Sequence, residues 1–334
     1  MATIKPGPRN LISDVDGIAV GHAHNPEAAT GTTVVLMDQA CVAAVDVRGG
    51  GPATRETDLL SPDCAVDQID AICLSGGSVY GLAAADGVVR WLADQGRGFP
   101  VGSWRAPIVP AACIFDLEPI GGHEIMSTPF YSELARQACD SADQNFQLGN
   151  VGAGTGARAG MLKGGIGSAS VVCDDGLQIA AIAVANPVGA VVMPGSSAMW
   201  AWPFEQSGEF GGVRPAKDLN VSDADLPYES RIGGNTSLAV VATNAPLSKP
   251  AATRVSLMAH DGFARAIRPV HTPFDGDTIF TVATGSLSLD TSPLDIARIG
   301  AMAADCVARA VARGVYEAED LGGIASYRSS YELN

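Results

Sequence analysis

The spacing of apolar and polar positions changes several times along this chain, and each change marks an element. Gly17–His22, Thr32–Met37 and Cys41–Val47 are short runs rich in β-branched residues, which predicts strands. Gly49-Gly50-Gly51-Pro52 interrupts them. Ala71–Leu74 reads as a buried strand, and Ser75-Gly76-Gly77-Ser78 turns it into a helix over Tyr80–Asp94, where Leu82, Val88, Val89 and Leu92 fall near one face. A second helix is expected over Tyr131–Ala142. The Ile/Val/Ala-rich segments Gly165–Cys173 and Gln178–Val192 have the character of strands buried on both faces. From Pro203 to Gly234 no period persists and Gly, Pro, Asp and Glu dominate, so a long exposed loop is expected, a natural place for a chain break. It ends at Gly233-Gly234-Asn235-Thr236. An apolar strand, Ser237–Thr243, follows at once. Then come a helix over Lys249–Ala264, a strand over Thr278–Ala283 and a helix over Leu294–Ala312, the last with Ile296, Ile299, Met302, Ala303, Cys306 and Ala310 on one stripe. Strands are often adjacent in this mixed order, which favours a layered α/β sandwich over strict βαβ alternation.

Composition narrows the picture. The chain has 334 residues, enough for one large domain or two ordinary ones; 47% are apolar and only 17% charged. So low a charged fraction points to burial between subunits. A net charge of −15 and the lack of any basic run argue against nucleic-acid binding. The seven cysteines (41, 64, 73, 113, 139, 173 and 306) are odd in number and scattered, which argues against a disulfide framework. The N-terminal segment lacks the apolar stretch of a signal peptide, and no apolar run reaches the roughly 18 residues of a membrane span. A reducing cytoplasm is the expected compartment.

The motifs divide sharply. Ser75–Gly81 fits neither the dinucleotide-binding nor the P-loop pattern and reads as a tight strand-to-helix turn, with Tyr80 open to a pocket-lining role. The five histidines are His22, His24, His123, His260 and His271. His22 and His24 share one face of a strand, where a metal could bind, but no acidic or Cys partner sits at a recognised spacing nearby, so they read as polar or hydrogen-bonded side chains, and no metal or cofactor is expected. Neither H-E-x-x-H nor G-x-S-x-G occurs. Asp275-Gly276-Asp277 in an extended segment aims two carboxylates to one side, where they repel unless a cation or proton sits between them; an ordinary turn is the alternative. Gly233-Gly234-Asn235-Thr236 carries the most weight. A Thr hydroxyl can attack the preceding carbonyl to give an ester that water cleaves. The new N-terminal Thr then has an α-amine, with an ordinary pKa of about 7.7–8.0, to serve as base for its own hydroxyl. Taken alone, the tetrapeptide reads more readily as a Gly turn into a strand.

Asn235-Thr236 followed by SLAVVATNAPLSK resembles the start of the β-chain in the DmpA/BapA-type aminopeptidase family of self-processing N-terminal-nucleophile hydrolases, which includes the 6-aminohexanoate-oligomer (nylon) hydrolases. GIAVGHAHNPEAATGTTVVL, DVRGGGPATRETDLL, AICLSGGSVYGL, PIVPAACIFDL, VGAGTGARAGMLKGGIGSAS, AVANPVGAVV and HTPFDGDTIFTVAT resemble further family blocks in family order. The resemblance implies a four-layered αββα sandwich formed by one precursor. Cleavage between Asn235 and Thr236 would yield an α-chain, 1–235, and a β-chain, 236–334, with the heterodimers assembled into homotetramers. It implies Thr236 as nucleophile, Lys163 as electrostatic assistant, and Asn186 as a group that orients the nucleophile or stabilises the oxyanion. Asp275 and Asp277 would hold the Thr236 ammonium and hydroxyl, as in the nylon-hydrolase pattern. Phe115 stands where the nylon hydrolases have Tyr, which separates the substrate preferences. The implied activity is hydrolysis of amide bonds in short peptides, amino-acid amides or amino-acid oligomers. A dedicated 6-aminohexanoate-oligomer hydrolase and a non-catalytic small-molecule-binding protein on the same fold are the rival expectations.

Overall fold

The structure is a computed structural model that describes residues 4–117, 129–219 and 234–332. Its main strands are β1 (Ile18–Asn25), β2 (Thr30–Val47), β3 (Gln68–Ser75), β4 (Ala111–Cys113), β5 (Gly165–Cys173), β6 (Gln178–Ala185), β7 (Leu238–Thr243) and β8 (Thr278–Ala283). Its main helices are α1 (Ala84–Asp94), α2 (Phe130–Asp140), α3 (Lys249–Ala266) and α4 (Pro293–Tyr316). Strand β2 joins two halves of one continuous sheet. Its first half pairs with β1 and β3, and its second half, Val42–Val47, pairs with β8. From β8 the sheet runs through β7, β6 and β5.

The sequence separates Thr32–Met37 from Cys41–Val47, whereas the structure runs them into one strand. The register shifts between Leu36 and Cys41, so the polar stretch Asp38–Gln39 is taken up in a bulge where the sheet folds over on itself. Gln178–Val192 also differs from expectation, since the strand stops at Ala185. Pro187 has no N–H for a ladder, and the Asn186 carbonyl is committed elsewhere. The expected exposed loop from Pro203 is anchored where it is described. Phe210 is buried, and Glu209 pairs with the fully buried Arg309 at 2.5 Å. The part from 220 to 233, including Gly233, lies outside the described residues, as does His123.

Three apolar clusters fill the three spaces of a four-layered αββα sandwich. Along β6, Ile179, Ala181, Ala183 and Ala185 face α3 and α4, while Ala180, Ile182 and Val184 face the other half-sheet. That period of two explains why the strand is apolar throughout. Between the sheets, Ile18, Val35, Met37, Ile72 and Leu74 meet Ile182, Val184, Leu238, Val240 and Phe280. On the far side Val34, Leu36, Ala71 and Cys73 pack against α1 and α2. Ser248 and Ser292 cap α3 and α4, each followed by Pro in the first turn. Among the described residues no helix is long and apolar enough to cross a membrane.

Close approach between layers accounts for part of the glycine content. A Cβ on Gly167 would sit 2.1 Å from the Ala310 carbonyl oxygen of α4 and 2.3 Å from the Gly314 nitrogen. Gly167→Ala therefore pushes a helix off its sheet, and a loss of about 1–3 kcal/mol is expected. A urea titration checks this; an unchanged midpoint contradicts it.

Candidate active site

The site forms where β7 and β8 run parallel. Leu238 pairs with Thr278, and the same offset pairs Asn235 with Asp275 in an isolated bridge. Thr236 therefore stands beside Gly276, between two acidic residues. The contact is tight: a Cβ on Gly276 would lie 2.6 Å from Thr236 Oγ1. Thr236, Asp275 and Asp277 are at most 2% exposed.

The peptide bond between Asn235 and Thr236 is gripped on both sides. The Thr236 N–H donates to the Asn186 carbonyl at 2.7 Å, and the Asn235 carbonyl accepts the Gly276 N–H at 3.0 Å. Thr236 Oγ1 donates to that same Asn235 carbonyl at 2.5 Å. The side-chain hydroxyl thus lies against the bond that precedes its own residue.

Both carboxylates are saturated with donors. Asp275 Oδ1 accepts the Val188 N–H at 3.1 Å, and Oδ2 accepts the Thr272 N–H at 2.9 Å and its hydroxyl at 2.6 Å. Asp277 Oδ1 accepts the Ser237 N–H at 2.8 Å. Its Oδ2 takes the His271 N–H at 3.1 Å and lies 2.8 Å from His271 Nδ1. Burial, then the charge of Asp277, push the Asp275 carboxyl above the usual range, opposed by the Thr272 and Val188 bonds.

Asn186 works through both its parts. Its carbonyl holds Thr236, while its side-chain Oδ1 accepts the Arg158 N–H at 2.8 Å and Nδ2 donates to the Phe115 carbonyl at 3.2 Å. Lys163 is buried, with Nζ donating to the carbonyls of Gly154, Ala157 and Gly164 at 3.1, 2.8 and 2.7 Å. Burial lowers its pKa to about 7, against the raising effect of Asp116. Asp116 is itself raised to about 6 by burial and accepts the Gly77 N–H at 2.7 Å. That bond occupies a donor of the Ser75–Gly81 turn, whose Gly77 has φ +84°, as a tight turn needs. Tyr80 is exposed and Phe115 half-buried. Among the described residues no group of His, Cys, Asp or Glu could hold a metal ion. A cavity of about 690 Å³, lined by Arg9, Phe146, Arg313 and Arg328 among others, touches none of these site residues.

Two features escape a reading of the sequence. Gly49–Gly51 looks like a break, yet Gly51 N–H donates to the Asp275 carbonyl at 2.8 Å, and a Cβ on Gly49 would lie 2.2 Å from the Asp277 nitrogen. Glycine there lets the chain lie directly against the acidic pair. His271 is the other; its clue was its place six residues before Asp277 in a polar turn.

The site thus presents a Thr hydroxyl held against its own preceding peptide bond, two residues ahead of a central strand of an αββα sandwich. The chain belongs to peptidase family S58, whose profile matches residues 10–328. It is thus a member of a family of peptide- and amide-bond hydrolases. It is 44% identical to an uncharacterized aminopeptidase of Mycobacterium tuberculosis, over 96% of this chain and 98% of that one. It is 32% identical to a 6-aminohexanoate-oligomer endohydrolase of Kocuria sp., over 86% of this chain and 78% of that one. Among solved structures it is similar to a β-aminopeptidase of Burkholderia sp., with a TM-score of 0.74, 22% identity and coverage of 99% and 94%. The L-aminopeptidase D-Ala-esterase/amidase of Ochrobactrum anthropi, described as a variant of the Ntn hydrolase fold, gives a TM-score of 0.71 at 21% identity, covering 99% and 96%.

The geometry generates a direct test at Gly276. Gly276→Ala places a methyl where Thr236 Oγ1 now lies, so the hydroxyl has to turn away. Turnover of an amino-acid p-nitroanilide is expected to fall by about a hundredfold or more; near-normal turnover would show that Oγ1 does not need this position.

Proposed function

We propose that this chain is a precursor that cuts itself between Asn235 and Thr236 and then uses Thr236 as an N-terminal nucleophile against amide bonds. The observation that carries the reading is the 2.5 Å contact of Thr236 Oγ1 with the Asn235 carbonyl, on a peptide gripped by Asn186 and Gly276. In self-cleavage Oγ1 bonds to the Asn235 carbonyl carbon, and the charge developing on its oxygen meets the Gly276 N–H. Collapse breaks the C–N bond, the Oγ1 proton passing to the nitrogen, and leaves an ester beside a free Thr236 amine; one water then gives a carboxylate on Asn235 and returns the Thr236 hydroxyl. That amine, beside Asp275 and Asp277, takes the Oγ1 proton in turnover and returns it to the leaving amine. Water clears the acyl-enzyme. The resemblance gives Lys163, whose Nζ is held by the Gly154, Ala157 and Gly164 carbonyls, the role of electrostatic assistant, and Asn186 sets the position of the nucleophile.

Short peptides, amino-acid amides and amino-acid oligomers with a free amino end are the substrates this reading favours, in keeping with the aminopeptidase names of the mycobacterial relatives. Dedicated hydrolysis of 6-aminohexanoate oligomers is the narrower reading, supported by the Kocuria relative and opposed by Phe115, which brings no hydroxyl to its position. A short hairpin exposes Phe99, Val101 and Trp104, the last 78% exposed, which supports assembly into oligomers such as a tetramer of cleaved chains.

A denaturing gel with intact-mass analysis tests the cut. Two fragments separated at Asn235/Thr236 in the native protein, and one uncut chain in Thr236→Ala, are expected; a stable single native chain without amidase activity overturns the reading. A second measurement probes Lys163. Burial depresses its pKa, so the ammonium is present below about 7 and lost as pH rises through it. The native kcat profile is expected to decline as that charge is lost; in Lys163→Met the rate is lower and this decline is absent.

A further inference from the structure

The geometry points to His271 as a positioning residue that holds Asp277, and through it the nucleophile's strand, in the reactive arrangement. The inference rests on reading Thr236 as the nucleophile. Asp277 Oδ1 fixes the Ser237 N–H, one residue past Thr236. Its Oδ2 has two contacts, both from His271: the backbone N–H at 3.1 Å and Nδ1 at 2.8 Å. With Nδ1 protonated, two donors of one residue converge on one oxygen, and the carboxylate is prevented from rotating about its bond to Cβ. His271 reaches this geometry with φ +55°, a region that side chains other than Gly seldom occupy.

The ring is braced from behind. His260 meets it edge-on, with centroids 4.8 Å apart and planes at 70°, and Phe263 lies 6.3 Å away at 63°. His260 is buried in α3, with Nε2 3.1 Å from the Asp46 carbonyl oxygen and 3.3 Å from its carboxylate. Asp46 is in turn paired with Arg48 at 2.7 Å. Burial lowers the His260 pKa to about 4, so this ring is neutral at physiological pH and sets no like charge against His271. The chain Arg48–Asp46–His260–His271–Asp277 thus links the end of β2 and helix α3 to Ser237, between the nucleophile and the start of β7. Such an arrangement acts by precision, since small displacements of a reacting group carry large rate penalties.

Two variants separate positioning from bulk. His271→Gly keeps the backbone N–H and accepts the positive φ, but removes Nδ1. His271→Asn also tolerates that φ and returns a donor near the Nδ1 position. For cleaved enzyme acting on an amino-acid p-nitroanilide, His271→Gly is expected to lose about ten- to a hundredfold in kcat, with KM within about twofold. His271→Asn is expected to recover most of the loss. A His271→Gly enzyme with native kcat overturns the inference, and so does a His271→Asn enzyme as slow as His271→Gly. If His271→Gly does not fold, His271→Asn decides alone, with near-native kcat in support and a tenfold or greater loss against. Thr236→Ala serves as the separate control. Activity in that variant defeats the nucleophile reading itself, whereas an inert Thr236→Ala beside a native-like His271→Gly defeats only the role of His271.

Discussion

The parallel register of Leu238–Thr243 against Thr278–Ala283 is the constraint on which the site depends. The register that pairs Leu238 with Thr278 carries back to Asn235 and Asp275, and it places Thr236 beside the one residue of the trio that has no side chain. A slip by one position would set Thr236 against a carboxylate-bearing residue and turn the strand's buried faces around. Two sets of contacts prevent that slip. Val240 and Ala242 face the inter-sheet core while Ala239 and Val241 face α3 and α4, so both faces are committed. Parallel neighbours also require a crossover, and α3 supplies it, packed on the same sheet. Packing on both faces thus fixes the position of a single hydroxyl.

Electrostatics make the site costly to build. Two carboxylates taken out of water each face a desolvation penalty of several kcal/mol. Hydrogen bonds to charged groups return roughly 1.5–3 kcal/mol each. Asp275 and Asp277 each have three contacts of this kind. The donors come from Val188, Ser237 and the adjacent His271 and Thr272, three separate stretches of the chain, so the acidic pair also ties these segments together. Burial first, and then the charge of Asp277, leave the Asp275 carboxyl raised. A cation arriving between the two carboxylates would offset that charge, and under the proposed self-cleavage the new Thr236 ammonium is such a cation.

The fold was legible where burial on both faces of a strand imposes apolar residues. The near-continuous apolar character of Gln178–Ala185 and Leu238–Thr243 is a local signal that survives in the structure. Strand ends were less legible, because non-local contacts set them: Asn186 leaves the ladder with its carbonyl turned to Thr236. In the site, Thr236, Asp275 and Asp277 can be singled out from local sequence, but each also reads as part of an ordinary turn, and only the family resemblance chooses between the readings. Gly49–Gly51 and His271 do not stand out, since their roles come from contact with Asp275 and Asp277. For the glycines that contact spans more than two hundred residues of sequence, and the pairing of β2 with β8 creates it. Lys163 and Asn186 entered through resemblance alone; no local pattern marks a lysine whose partners are three main-chain carbonyls.

Under the proposed function, Phe115 offers a way to hold the nucleophile independently of the substrate. Its main-chain carbonyl, not its ring, receives the Asn186 side chain, and Asn186 in turn receives the Thr236 N–H. Any residue at this position offers the same carbonyl, so the side chain can change without loosening Asn186. The half-buried ring is then free to vary with whatever lies beside the reacting bond. The relatives' names include both aminopeptidase and 6-aminohexanoate-oligomer endohydrolase, and a side chain that can vary beside a fixed main-chain contact is one physical route to such a spread. Specificity in this chain is therefore to be sought in side chains whose backbone is already committed to the site, of which Phe115 is the clearest.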